Sequence, residues 1–124
     1  MKPTILFVYG TLKRGGKNVG LMRGQQYLCD AVTAPKYRIY DLGAHPALVM
    51  DLAQGMSVHG ELWEVSGSAL AKLDEFEEVP TWFNREPIEV LNYPDPVEAY
   101  FYKHAILPGT PSANEWPRSG DGHT

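Results

Sequence analysis

Cysteine occurs once in the chain, at Cys29, so no internal disulfide can form and the composition suits a reducing compartment. Histidine occurs four times, at His45, His59, His104 and His123, and never at the close spacing that holds zinc on a helix or in a knuckle. No metal and no other cofactor is expected. Positive charge is in the minority, with eleven basic residues against fifteen acidic, and no Lys/Arg stretch is interleaved with aromatics. Nucleic acid is therefore not an expected partner. No apolar run approaches the ~20 residues of a membrane span, and the apolar stretch over residues 5–9 is too short for a signal peptide. The expectation is a cytoplasmic protein with no membrane partner. Repeats and linkers are missing too, so the 124 residues read as one domain with one core.

What is present is a series of strand signals around one good helix. "TILFVY" is a continuous apolar run, suited to a central strand buried on both faces. It runs abruptly into "GTLKRGGK", where a glycine stands in place of a packed side chain. Residues 17–26 carry at most a short helical turn. "YLCDAVT" and "KYRIYDL" read as strands flanking the turn around Pro35, "GAHPALVM" has Gly43 and Pro46 ahead of a short strand, and "MSVHGELWEV" reads as a longer strand, with Gly60 permitting a bulge. The helix covers residues 66–78, capped by Ser66 or Ser68 and stopped by Pro80. "REPIEVLNY" and "VEAYFYKH" are two further strands joined by a Pro-Asp-Pro turn. The expected fold class is α+β, with a largely antiparallel or mixed sheet. The domain is expected over residues 1–107, followed by a tail over 108–124 that is loose or wrapped on the surface, with Trp116 as its anchor.

Two motifs invite chemistry. "GTLKRGGK" has the first spacing of a phosphate-binding loop, but Gly16 stands in the lysine position and Asn18 follows Lys17. The match fails, and Lys13, Arg14 and Lys17 read as a solvated basic loop. The helix is more informative. At 100° per residue with Leu70 at zero, Leu73 lies near about −60° and Glu77 near about −20°. Glu77 thus points along the apolar stripe, whereas Glu75 and Glu78 point to the flank. A carboxyl aimed at apolar surroundings has its pKa raised, which prepares it as a general base or acid. The competing reading has the helix fray before residue 77 and leaves Glu77 as a surface charge. Cys29 reads as a small core residue. Tyr100 and Tyr102 share a strand face, packed in the core with their hydroxyls satisfied at its edge.

Taken together, "FVYGTLKRG", "HGELWEV" and "LDEFE" resemble the gamma-glutamylcyclotransferase family, in the family's order and over most of the chain. The resemblance implies a small mixed β-barrel with flanking helices. It implies cyclisation of a small γ-glutamyl amine or peptide to 5-oxoproline, with release of the free amine and without cofactor. It carries the catalytic glutamate onto Glu77 and the substrate-binding loop onto Tyr9, Gly10, Thr11 and Leu12, with Tyr102 as a further substrate-binding candidate. Gly10 is expected to let substrate lie against the main chain, whose N–H groups would bind a carboxylate or oxyanion. Phe83 departs from the pattern, standing where relatives often carry tyrosine. It leaves open an alternative in which the protein only binds a small carboxylated metabolite. Neither the leaving amine nor the oligomeric state is determined at this level.

Overall fold

The computed structural model describes residues 2–117, so His123 and the end of the tail lie outside the described residues. Strand β1, Thr4–Val8, is the centre of the molecule. Its apolar run is buried on both faces: Leu6 and Val8 meet one apolar cluster, Phe7 and Tyr9 another. Around it, β2 (Gln26–Val32), β5 (His59–Val65), β6 (Phe83–Pro87) and β7 (Glu98–Tyr102) form a five-stranded sheet in the order β2-β5-β1-β7-β6. β1 runs antiparallel to β5 and parallel to β7, so the sheet is mixed. A second sheet, in the order β4-β3-β8, is built from β3 (Tyr37–Asp41), β4 (Pro46–Met50) and β8 (Ser112–Ala113).

Helix α1, Gly67–Phe76, covers one face of the large sheet through Leu70 and Leu73, and the small sheet covers the other through Ile39 and Leu48. Ser66 caps the helix by accepting a hydrogen bond from the Ala69 N–H. The expected barrel is not formed. The two sheets are separate and unclosed, and the described residues hold one α-helix plus a single 3-10 turn, Val19–Met22. Two sheets packed across one core bury the same apolar faces that a closed barrel would. No helix among the described residues is long and apolar enough to cross a membrane.

Two local readings need correction. Cys29 is exposed, not buried. The register of β2 against β5 shifts between Tyr27 and Cys29, and the extra residue, Leu28, takes the place against the core. Gly60, where a bulge was expected, pairs in regular register with Ala31, and any β-carbon there would meet the Phe7 ring and the Val8 carbonyl. The tail is held at more points than Trp116. The Pro111 carbonyl accepts from Asp41 N–H, β8 pairs with β3, and the Asn114 carbonyl accepts from His59 N–H.

Candidate active site

A cavity of about 210 Å³ opens where β1 ends. Its walls come from residues 7–12, from the start of β4 with the turn before it (Ala44, His45, Pro46), from the end of α1, and from Phe83 and Tyr100.

Glu77 stands in this wall because of how the helix ends. The last helical residue is Phe76, but Glu77 keeps helical backbone angles (φ −81°, ψ 0°) and its N–H still bonds the Leu73 carbonyl. The helical direction therefore persists one residue past the helix. The next two N–H groups close the end, Glu78 to the Glu75 carbonyl and Val79 to the Asp74 carbonyl, which is a Schellman motif. Glu78 occupies its left-handed position at φ +56°, where glycine is the residue without strain. Glu78→Gly is expected to raise stability by about 0.5–1 kcal/mol, read from denaturant midpoints. A loss of stability would show that contacts of the Glu78 side chain outweigh the backbone strain.

Two carboxyls three residues apart on this helix titrate in opposite directions. Burial would raise the Asp74 carboxyl, but a two-pronged Arg85 contact (2.9 and 3.0 Å) and the Tyr100 hydroxyl (2.7 Å) outweigh it and hold it below its ordinary value. The Arg85 guanidinium also pairs with Glu98, tying the last turn of α1 to β6 and β7. Glu77 has burial without such compensation and no side-chain hydrogen bond among the described residues. Its pKa is pushed up to about 7.

Across the cavity, the loop after β1 is stiffened from several sides. Leu12 is buried against α1. The Thr11 carbonyl and hydroxyl accept from the Asn18 main-chain and side-chain N–H groups, both at 2.9 Å. Arg14 donates to Glu61 through its main chain (3.0 Å) and its Nε (3.1 Å), and its guanidinium lies 3.7 Å over the Tyr27 ring. The basic loop is therefore not simply solvated. Arg14 is engaged, the Lys13 ammonium donates to the Trp116 carbonyl, and Lys17 lines the cavity. The N–H groups of Gly10, Thr11 and Leu12, three residues that line the cavity, donate to no acceptor among the described residues.

Tyr9 lines the cavity with its hydroxyl committed at 2.7 Å to the Tyr100 carbonyl. Burial, followed by the charge of Glu77, raises its pKa well above the ordinary value, so it remains a neutral wall. Tyr102 lies elsewhere. Its ring stacks on Trp82 and meets the Phe83 ring edge-on, and it is not among the cavity's lining residues; Tyr100, two residues earlier, is. His45, Lys17 and Asn18 also line the cavity without having been singled out as site residues. Adjacency to the 9–12 loop was a signal for Lys17 and Asn18. Nothing in the sequence placed His45 there.

The reason for glycine at position 10 also differs from expectation. A β-carbon on Gly10 would sit 2.6 Å from Cγ and 2.9 Å from Cδ of Pro46, so the vacant space receives a proline ring and not a ligand. Gly10→Val is accordingly expected to destabilise the fold by about 1–3 kcal/mol through overpacking. Thermal melting checks this, and an unchanged Tm would show that the β3–β4 turn gives way freely.

Fold and cavity together define a small mixed-sheet protein with an enzyme-like pocket, lined by a carboxyl of raised pKa and by a loop with uncommitted main-chain N–H groups. More particularly, the chain belongs to the family described as gamma-glutamyl cyclotransferase, AIG2-like, which it matches over residues 6–121. A Vibrio cholerae protein assigned by name to the gamma-glutamylcyclotransferases is 44% identical over 86 residues, covering 68% of this chain and 71% of that protein. The gamma-glutamylaminecyclotransferase of Mus musculus is 34% identical over 92 residues, 68% of this chain and 62% of the mouse protein. The chain thus spans less than two thirds of that vertebrate relative. Among solved structures, a Mus musculus AIG2-like protein superposes with a TM-score of 0.81 at 27% identity, covering 98% of this chain and 92% of the other. A uropathogenic Escherichia coli-specific protein shares the fold, with a TM-score of 0.78 at 22% identity over 92% of this chain and 90% of the other.

Proposed function

We propose that this protein converts a small γ-glutamyl amine or γ-glutamyl peptide to 5-oxoproline and free amine, with Glu77 as general base and acid and the Tyr9–Leu12 loop holding the substrate. The observation that carries this reading is an unpaired Glu77, its pKa raised to about 7, lining the same cavity as three residues whose main-chain N–H groups are uncommitted. The nucleophile is the substrate's own α-amine, one ring closure from the γ-carbonyl, so confinement supplies much of the rate. At neutral pH that amine is an ammonium and must first lose a proton. Glu77 accepts it, the amine attacks the γ-carbonyl carbon, and the loop amides hold the developing oxyanion. Collapse breaks the bond to the leaving nitrogen, which takes up a proton.

The mouse relative's name, gamma-glutamylaminecyclotransferase, supports an amine as leaving group. A protein that only bound an anionic metabolite would gain nothing from an unpaired carboxyl in the wall of its site. The test is a screen of γ-glutamyl dipeptides and γ-glutamylamines for 5-oxoproline release. Saturable binding of such compounds with no 5-oxoproline would replace the enzyme reading with the binding-only one, to which Phe83 in the cavity wall would then be relevant.

A further inference from the structure

We propose that His45 is a second proton-transfer residue of this cavity, giving the proton that the leaving nitrogen needs as its bond to the γ-carbonyl breaks. The inference rests on the cyclisation reading above and deepens it.

Proton stoichiometry creates the need. The attacking nitrogen enters as an ammonium and ends as a lactam N–H, so it sheds two protons. The leaving nitrogen enters as an amide N–H and departs as an ammonium, so it gains two. Glu77 carries one proton at a time, and a second carrier near the reacting carbon lets both transfers accompany a single exchange of C–N bonds. His45 lines the same cavity from a different element, the turn between β3 and β4.

The geometry prepares its ring for that task. Nδ1 lies 3.3 Å from the Pro46 carbonyl oxygen, an acceptor, so Nδ1 keeps its proton and Nε2 is the nitrogen left to exchange. The ring lies 6.1 Å, centroid to centroid, from the Phe83 ring at a tilt of 58°, and Phe83 itself lines the cavity. The turn is well fixed: Gly43 takes φ +100°, its N–H donates to Asp41 (2.7 Å), and the Leu42 N–H donates to the His45 carbonyl (3.1 Å). Pro46 is wedged into the space that Gly10 leaves open, which locks the turn against the substrate loop. The other titratable groups lining the cavity are Lys17, Glu77, Glu78, Tyr9 and Tyr100. Tyr9 and Tyr100 are both held neutral by raised pKa values, with burial the main cause. Lys17 is the cation of this set and carries no proton-accepting role while charged.

The steps balance. Glu77 removes the first proton from the ammonium, and the amine attacks. His45 Nε2 takes the second proton from the attacking nitrogen and passes it to the leaving nitrogen as the C–N bond breaks. Glu77 then hands its own proton to the departed amine. Both side chains end as they began, with no oxidant or reductant involved.

The test compares two substrates that differ in how much the leaving nitrogen needs a proton, γ-glutamyl-butylamide and γ-glutamyl-p-nitroanilide. His45→Gln keeps size and polarity but cannot exchange a proton, and His45 is exposed, so the variant should fold; melting confirms it. The expected result is a kcat loss of about 10²-fold on the butylamide. That loss should exceed the loss on the nitroanilide by about tenfold or more, because nitroaniline departs with little proton assistance. Equal losses on the two substrates, or no loss on the butylamide, would overturn the role of His45 while leaving cyclisation intact. No 5-oxoproline from either substrate with the wild-type chain would instead remove the cyclisation reading, and His45's role with it.

Discussion

Glu77→Gln is expected to lower kcat for 5-oxoproline release by about 10²-fold or more while leaving the fold intact. Glutamine matches the shape of the side chain and keeps a hydrogen-bonding end, but it cannot accept the substrate's ammonium proton. Structural damage is not expected, because the Glu77 side chain makes no hydrogen bond or ion pair among the described residues. Its backbone bond to Leu73 and the Schellman closure after it are untouched by the substitution. Initial rates with a γ-glutamylamine, alongside circular dichroism and melting, check both halves. Activity within a few-fold of wild type would remove Glu77 from the mechanism.

The pH dependence should show the same carboxyl twice, once in rate and once in stability. Glu77 must be ionised to act as base, so kcat should fall on the acid side with an inflection near the raised value of about 7. An inflection at the ~4.3 of a free glutamate would refute the buried-base argument. Stability runs the other way. In the unfolded chain this glutamate loses its proton at ~4.3, whereas in the folded protein it keeps it up to about 7. Between those values the folded state binds more protons, so its contribution to stability is full below ~4.3 and is lost as the pH rises through about 7. Glu77→Gln removes this penalty. The variant should be more stable than wild type at pH 8, by on the order of 3–4 kcal/mol, with the gap closing toward pH 4. Denaturant titrations at pH 4, 6 and 8 measure it. A constant gap across that range would mean that Glu77 is not the group responsible. Low activity with higher stability is the signature expected of a residue retained for chemistry.

Position 77 shows how far a periodic pattern can be read. The wheel placed Glu77 with Leu70 and Leu73, and its carboxyl does line the cavity although the helix stops at Phe76. The direction survived because αR backbone angles continue for one residue beyond the last helical one. Periodicity failed at Cys29 for the converse reason. One extra residue in β2 reversed the alternation, and an inserted residue of this kind has no composition signature. Tyr102 and Tyr100 illustrate a further limit. Both lie in β7 and both face the helix side of the sheet, but only Tyr100 comes near enough to the end of β1 to line the cavity. Shared face follows from period two, whereas distance along the sheet depends on which strands neighbour one another.

By itself the sequence determined the local elements and the chemistry held within single segments. These are the doubly buried first strand, the glycine-broken loop that follows it, and the capped helix with one carboxylate on its apolar stripe. Each follows from interactions between residues close along the chain, where propensity, capping and periodicity act. The tertiary structure alone decided that two open sheets form instead of a barrel, that Gly10 makes room for Pro46 and not for a ligand, and that His45 shares a cavity with Glu77. Those outcomes depend on contacts between residues roughly 30 or more positions apart. Such contacts are set by how strands pair and layers pack, and no local pattern encodes the meeting of one particular turn with one particular helix end.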